Sequence, residues 1–282
     1  MESWIAHDPN SSPKDHYIKY QLEQGGKIIY SGINEAEVPH NSSKFQGFVK
    51  FKAPQVEERT AFVLRAAVFD GVGNSVDQTI MDIDVFPRPA IVGTSTIGFL
   101  GETSQTTTYL KNHFGNTVVP NWKDADVIWV PSYTDYETHK EVLEKLATSG
   151  KKVILYNVPV GDHNIGGTSV KVQNTSMGSY YFTSPQTGHR FTENAKPFDF
   201  KMWYDEEVDY ITPFLDKIVL SDNWSPILST GNTNWVEDHG AAMAAGELKI
   251  GEGSIIICQL DVNNRLKSNP VAHDFVEQLI FN

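Results

Sequence analysis

A chain of 282 residues with a net charge of -12 is an unpromising partner for a nucleic-acid backbone or an anionic membrane surface, since both are held through an excess of Lys and Arg. Its apolar runs fall far short of the ~20 residues that cross a bilayer. One cysteine, Cys258, excludes an intrachain disulfide, and the length calls for two domains.

Residues 1–14 are polar and Pro/Ser-bearing, which predicts a lead-in arm. They lack a basic-then-apolar leader pattern. The two expectations that follow are a cytoplasmic protein and a fragment whose targeting signal lies upstream.

From 15 to 88 the pattern is β. Tyr17–Leu22, Lys27–Tyr30, Phe45–Phe51, Thr60–Asp70 and Gln78–Phe86 alternate or are β-branched, and Gly25-Gly26, Gly32 with Asn34, and Asp70–Asn74 separate them as turns. About six strands without a helical window predict an immunoglobulin-like β-sandwich. Pro87 and Pro89 stiffen the chain and mark its end.

Residues 89–282 follow a different grammar. Thr96–Leu100 predicts a strand, Ser104–Phe114 a helix, and Thr117–Val119 a short second strand. Asp126–Pro131 and Gly150–Gly161 contain apolar runs ended by Pro or Gly, as strands buried on both faces are. Between them Thr134 and Glu137 have capping-box spacing, and Val142, Leu143, Leu146 and Ala147 form one stripe. Strand, helix and parallel strand make a right-handed βαβ unit of an open α/β sheet, whose functional crevice is expected at the carboxyl ends of the strands. Pro131–Asp135 and Asn157–Asn164 occupy that edge.

Residues 165–240 are rich in Gly, Ser, Thr, Asn and aromatics, with one helical piece expected over Glu206–Leu220. Order returns over Gly240–Lys249 and in the strand Gly253–Leu260. A last helix is signalled by Asn269 as N-cap, Pro270 at its first position, and Val271, Phe275 and Leu279 in i, i+4 register.

Covalent catalysis on such a sheet needs Cys or Ser on the sharp turn after a central strand. Val158–Gly161 fills that turn, and Pro159 offers neither nucleophile nor N–H. Cys258 lies within an apolar strand, where a thiol is inert. No Gly-x-Ser-x-Gly, dinucleotide or Walker motif occurs, and the nine histidines show no metal-ligand spacing, so no cofactor or metal is expected. Asn34-Glu35 matches a glycosidase acid/base pair but falls in a predicted turn between sandwich strands, with no barrel around it.

Aromatics interleaved with amides and carboxylates remain: Tyr180–Phe182, Trp203, Tyr204, Trp224, Asn234, Trp235, Glu237 and Asp238. Aromatic faces beside such groups stack on sugar rings while the amides bond hydroxyls. Trp203, Tyr204, Asn234, Trp235, Glu237 and Asp238 are therefore the candidate carbohydrate-binding residues, against the alternative that they pack loops or a domain interface.

The sandwich, from Tyr17–Leu22 through Phe62–Asn74 to Asp84–Pro87, resembles the immunoglobulin-like module behind the catalytic barrel of glycoside hydrolase family 2 enzymes. Ala125–Pro131, Gly150–Gly161 and Gly251–Leu260, running into Asn264-Arg265 and Asn269-Pro270, resemble the flavodoxin-like, class I glutamine-amidotransferase-like module at the C-terminus of some β-galactosidase-like proteins. The resemblance implies a non-catalytic accessory region of a periplasmic or secreted bacterial hydrolase. Its implied partners are the upstream catalytic domain of the same polypeptide, further copies of the chain, and carbohydrate. The barrel and its glutamates are missing, so no catalytic residue carries over. A stand-alone carbohydrate-binding protein is the alternative. An independent hydrolase using Asp162, His163, Glu237 and His239 is a third reading.

Overall fold

The computed structural model describes residues 1–9, 13–87, 93–101, 104–175, 182–231 and 242–282. The chain divides into two compact units, 1–90 and 91–282.

The first unit has six strands: β1 Glu2–His7, β2 His16–Gln24, β3 Lys27–Ala36, β4 Ser42–Phe48, β5 Thr60–Phe69 and β6 Ser75–Val85. An antiparallel sheet in the order β3-β2-β5-β6 faces the antiparallel pair β1-β4. Because side chains alternate along a strand, Ile18, Tyr20 and Leu22 of β2 join Phe62 and Leu64 of β5 on one buried face, against which Ile5, Val49 and Phe51 pack. Burying each large apolar side chain contributes ~1.5–3 kcal/mol.

Two expectations change here. Residues 2–7 are not an arm but strand β1, in register with β4 from Glu2 opposite Phe48 to His7 opposite Ser42. Glu35 sits within β3 opposite Tyr17 rather than in a turn. The β5–β6 turn follows the sequence. Asp70 Oδ1 accepts from the N–H groups of Val72 (3.1 Å) and Asn74 (2.7 Å), and the Asn74 bonds hold its carboxyl below the usual range.

The second unit contains, in order, β7 Ile97–Phe99, α1 Gln105–His113, β8 Val127–Val130, α2 Tyr133–Thr148, β9 Lys152–Tyr156, β10 Gly161–Ile165, β11 Thr168–Asn174, β12 Trp203–Asp205, β13 Tyr210–Thr212, β14 Lys217–Leu220, β15 Ser225–Thr230, β16 Ala242–Ile250, β17 Gly253–Cys258 and α3 Pro270–Phe281. The main sheet runs β10-β11-β14-β16-β17-β9-β8-β7, with β15 also on β16. β7, β8, β9 and β17 are mutually parallel; the other pairings are antiparallel. The sheet is therefore mixed, and the whole chain is β-rich with three α-helices among the described residues.

Helices on both faces explain the apolar runs Val127–Val130 in β8, Val153–Tyr156 in β9 and Ile255–Cys258 in β17. Leu110 of α1 and Phe275, Val276, Leu279 and Ile280 of α3 share a core with Trp129, Ile154 and Ile256. Tyr136, Leu143 and Ala147 of α2 pack on the other face with Ile128, Val130, Val153 and Leu155. Val142, placed in the apolar stripe by spacing, is instead 39% exposed.

The helix expected over Ser104–Phe114 forms as α1, with Ser104 as its N-cap, its Oγ accepting from Thr107 N at 3.0 Å. On α2 the cap is Ser132, two residues before the predicted Thr134: Oγ accepts from Asp135 N at 3.1 Å and donates to Asp135 Oδ2 at 2.7 Å. The predicted strand Thr117–Val119 contracts to one parallel bridge, Val118 to Ile97. The helix expected over Glu206–Leu220 is absent. Asp209 takes φ +60° and Pro213 interrupts the run, so β13 and β14 form instead.

Candidate functional site

The carboxyl edge of the parallel strands holds a crevice of about 320 Å³ lined by Tyr156, Asn157, Phe214, Lys217, Gln259 and Asp261, among others. Each lining residue is placed by a strand end. Asn157, directly after β9, takes φ +58°, donates its N–H to Cys258 O at 2.9 Å, and accepts from Lys217 Nζ through Oδ1. Gln259, directly after β17, donates from Nε2 to Val158 O at 3.0 Å; its buried Oε1 has no partner.

Asp261 is the hub of the floor. Its Oδ1 accepts from the Tyr156 hydroxyl (3.2 Å) and from Asn263 N (3.1 Å), and its Oδ2 from Arg265 at 2.6 Å. The Tyr156 oxygen accepts from Val262 N at 3.0 Å. Burial, and then the Asp261 charge, raise the Tyr156 phenol well above its ordinary range, so it stays a neutral donor.

Arg265, with 4% of its side chain exposed, ties this loop to the β12–β13 segment. It pairs with Asp205 at 2.9 Å and Asp261 at 2.6 Å, and donates to Thr212 Oγ1 at 2.7 Å and to the carbonyls of Pro213 and Asn263. Beyond it a smaller hollow of about 170 Å³ is lined by Thr106, Tyr109, Glu206 and Asn264. Carboxylates, amides and one ammonium converge on the main crevice, a set suited to hydroxyl groups of a polar ligand.

The turn that would carry a nucleophile needs a correction. The positive-φ residue of the strand end is Asn157, not Pro159, and the chain proceeds into the hairpin β10–β11 rather than into a helix. Cys258 is buried in β17, with its thiol pushed up to about 12 by desolvation.

Of the candidate sugar-binding residues, Trp203 is 2% exposed, stacked on Phe214 at 4.2 Å between centroids, and bonded through Nε1 to Asp199 O. It is core, with no free ring face. Tyr204 is half-buried, its hydroxyl donating to Asp209 and its backbone held at N and O by the Asn269 amide (3.0 and 2.7 Å). Asn269 thus spends its side chain on β12 rather than on its own helix. Asn234, Trp235, Glu237 and Asp238 lie outside the described residues, as do Tyr180, Tyr181 and His239. Asp162 and His163 stand on β10, where His163 Nε2 meets Pro159 O at 2.7 Å and its ring lies 4.4 Å from that of Tyr133. No group of three metal-ligating side chains occurs among the described residues.

Behind the smaller hollow, α1 and α3 bury His113, His273 and Glu277. The two imidazoles are 4.5 Å apart, Tyr109 Oη lies 3.1 Å from His273 Nδ1, and Glu277 lies 3.7 Å from His273 Nε2. Burial outweighs mutual attraction. It pulls His273 down to about 4, with His113 adding to the effect, and pushes Glu277 up to about 7, with Asp274 adding. A carboxyl raised on folding stabilises most below its unfolded pKa and loses that contribution as pH climbs through 7. Glu277→Gln is therefore expected to stabilise the protein by on the order of 2 kcal/mol at pH 8 and to change little at pH 4. Denaturant midpoints at the two pH values check this, and a lower midpoint at pH 8 would refute it.

No protein-family model matches the chain, and no curated protein does. Solved structures similar in part are a cold-adapted β-galactosidase from Rahnella sp. R3 (TM-score 0.40, 8% identity, 66% of this chain and 30% of that one) and a β-galactosidase from Bacillus circulans sp. alkalophilus (TM-score 0.35, 8% identity, 64% and 31%). The chain spans less than a third of the length of either.

Proposed function

We propose that this chain is a non-catalytic accessory region of a carbohydrate-active glycoside hydrolase of the family 2, β-galactosidase-like kind. Its work would be to support a catalytic barrel, build an oligomer interface, or lend a loop to the rim of a sugar site. The observation that carries this reading is Asn157. At the strand end where a class I glutamine-amidotransferase-like module would present its nucleophile, the strained position holds a carboxamide already engaged by Lys217. An amide nitrogen is not a nucleophile, and no following helix supplies N–H groups for an oxyanion.

The spatial order Val118, β7, β8, β9, β17, all parallel, supports assigning the second unit to a flavodoxin-like domain, since in chain order those pieces run 2-1-3-4-5. The first unit supports the immunoglobulin-like half of the reading through its two facing antiparallel sheets.

The test is turnover of a panel of nitrophenyl glycosides by the purified chain, with glycan-array binding on the same sample. Silence in the first is expected. Turnover abolished by Asp261→Asn would sink the accessory reading and make the crevice an active site. The rival, sugar binding by the chain itself, now rests on the amide-rich crevice, because Trp203 has no ring face to offer. Glycan binding lost in Lys217→Ala would favour it.

A further inference from the structure

The carboxyl-edge crevice of the second unit has one wall whose hydrogen bonding is incomplete. Gln259, 2% exposed and lining the crevice, is locked in place twice: its backbone N–H donates to Ala244 O at 2.9 Å, and its Nε2 to Val158 O at 3.0 Å. Only the NH2 end of a carboxamide can donate, so the second bond fixes which end is which. It leaves Oε1, buried and without a partner among the described residues, as an acceptor still to be filled. A buried acceptor left unpaired costs free energy, which a donor arriving from outside returns.

Donors stand beside it. Asn157 precedes Val158 and accepts from Lys217 Nζ through Oδ1, so the ammonium and the Gln259 amide are anchored on two consecutive residues. The remaining Lys217 hydrogens and the Nδ2 group of the exposed Asn157 border the same space. Asp216 and Asp261 add carboxylates to the lining, and the exposed Pro213 ring adds an apolar face. This mixture sorts ligands by charge. An anion would offer no hydrogen to Gln259 Oε1 and would meet Asp216 and Asp261. An ammonium would offer no acceptor to Lys217 and Asn157 and would meet a like charge. A hydroxyl donates and accepts at once, and carries no charge.

We infer that the crevice binds a neutral monosaccharide, with one hydroxyl donating to Gln259 Oε1, a neighbouring hydroxyl accepting from Lys217 Nζ and Asn157 Nδ2, and a C–H face of the ring lying on Pro213. The volume of about 320 Å³ falls at the small end of ligand pockets, roughly 300–1,000 Å³, and admits a short ligand rather than a long chain. A rigid ring presents its hydroxyls already oriented, so little conformational freedom is lost on binding. The inference deepens the sugar-binding rival given above and rests on it; it requires no turnover.

The isotope-labelled full chain is titrated with the methyl glycosides of glucose, galactose and mannose, followed by amide resonances. At least one is expected to bind saturably with a Kd of about 1–10 mM, moving the side-chain amides of Gln259 and Asn157 along one isotherm. The uronic acid and the amino sugar of the same configuration are expected to bind at least about tenfold more weakly. The neutral sugar should lose at least about tenfold on Lys217→Met. Asn157→Asp should lose as much, since Asp tolerates the positive φ at this position but brings a carboxylate in place of the Nδ2 donors; it serves as the test if the first variant fails to fold. No saturation by any of the three at about 100 mM overturns the inference. So does equal binding of the charged and neutral sugars. Binding that leaves Gln259 unmoved and both variants unaffected would place the sugar elsewhere on the chain, so that the rival survives and this assignment falls.

Discussion

Arg265→Ala is expected to destabilise the second unit by about 3 kcal/mol and to open the carboxyl-edge crevice. The guanidinium is 4% exposed and supports two segments distant in sequence, Asp205–Pro213 and Asp261–Asn263. Deletion leaves Asp205, 13% exposed, with an uncompensated charge in a low-dielectric setting, and that penalty outweighs anything the pair itself contributes. Asp261 is 49% exposed, so solvent screens its half of the loss, and the expectation lies at the lower end of the range for a broken buried pair. Arg265→Lys should recover only part of it, since a point charge cannot span both carboxylates and four further acceptors, Thr212 Oγ1 and the carbonyls of Pro213, Asp261 and Asn263. Chemical denaturation and amide exchange of residues 205–213 check the result. A loss under about 0.5 kcal/mol, as for an ordinary surface change, would show that the clamp is ornamental.

The second large effect is expected at Glu247, on β16. Its carboxylate, 2% exposed, meets Arg190 at 2.8 Å, Lys249 at 3.0 Å and His189 at 3.2 Å. Burial alone would raise this carboxyl, but hydrogen bonds from His189, Arg190, Lys249 and Ser254 hold it far below the usual glutamate range. A carboxyl depressed on folding contributes stability that is present above its unfolded pKa, about 4.3, and is lost as pH falls below that value. Glu247→Gln should therefore cost about 2–4 kcal/mol at pH 7 and flatten the acid limb of the stability curve. Lys152, already drawn down to about 8 by burial and by Arg190, loses its stabilising anion in the same variant. Urea midpoints from pH 3 to pH 7 distinguish the outcomes. An acid limb as steep as in the parent chain would mean that other carboxylates carry it.

Much of the parallel sheet was legible because burial on both faces demands a run without polar interruption, and Val127–Val130, Val153–Tyr156 and Ile255–Cys258 provide one each. Ser104 and Asn269-Pro270 marked helix starts for local stereochemical reasons, and such signals survive without knowledge of the fold. Where two local signals competed, sequence could not choose: Ser132 and Thr134 both precede an acid by three residues, and the first won. β1 was hidden because its partner β4 is far along the chain and its own flanks are turn-rich. Leu215, Ile218, Val219 and Leu220 mimic a helical face, yet they belong to a loop end and the strand β14.

The site was less legible than the fold. Nothing in the spacing of Asp205, Asp261 and Arg265 announces a shared ion pair across some sixty residues of intervening chain. In the sequence Arg265 stands out only as part of a stretch resembling an amidotransferase-like module. Trp203 illustrates the opposite error: an aromatic among polar loop residues carries the same letter whether it faces a ligand or, as here, Phe214.

The parallel pairing of β9 with β17 has a consequence for how the chain is made. These strands lie side by side from Lys152–Ser254 to Tyr156–Cys258, and everything from 157 to 252 must be synthesised before β9 gains that neighbour. Until then one edge of β9, apolar from Val153 to Tyr156 and in the middle of the sheet, stays open on the ribosome. The closing step also carries the entropy of a long loop, which places it late and slow in assembly. Such an intermediate offers a ready surface for mispairing with other nascent copies, so yield in the cell should depend on chaperones that cover β9 until β17 emerges.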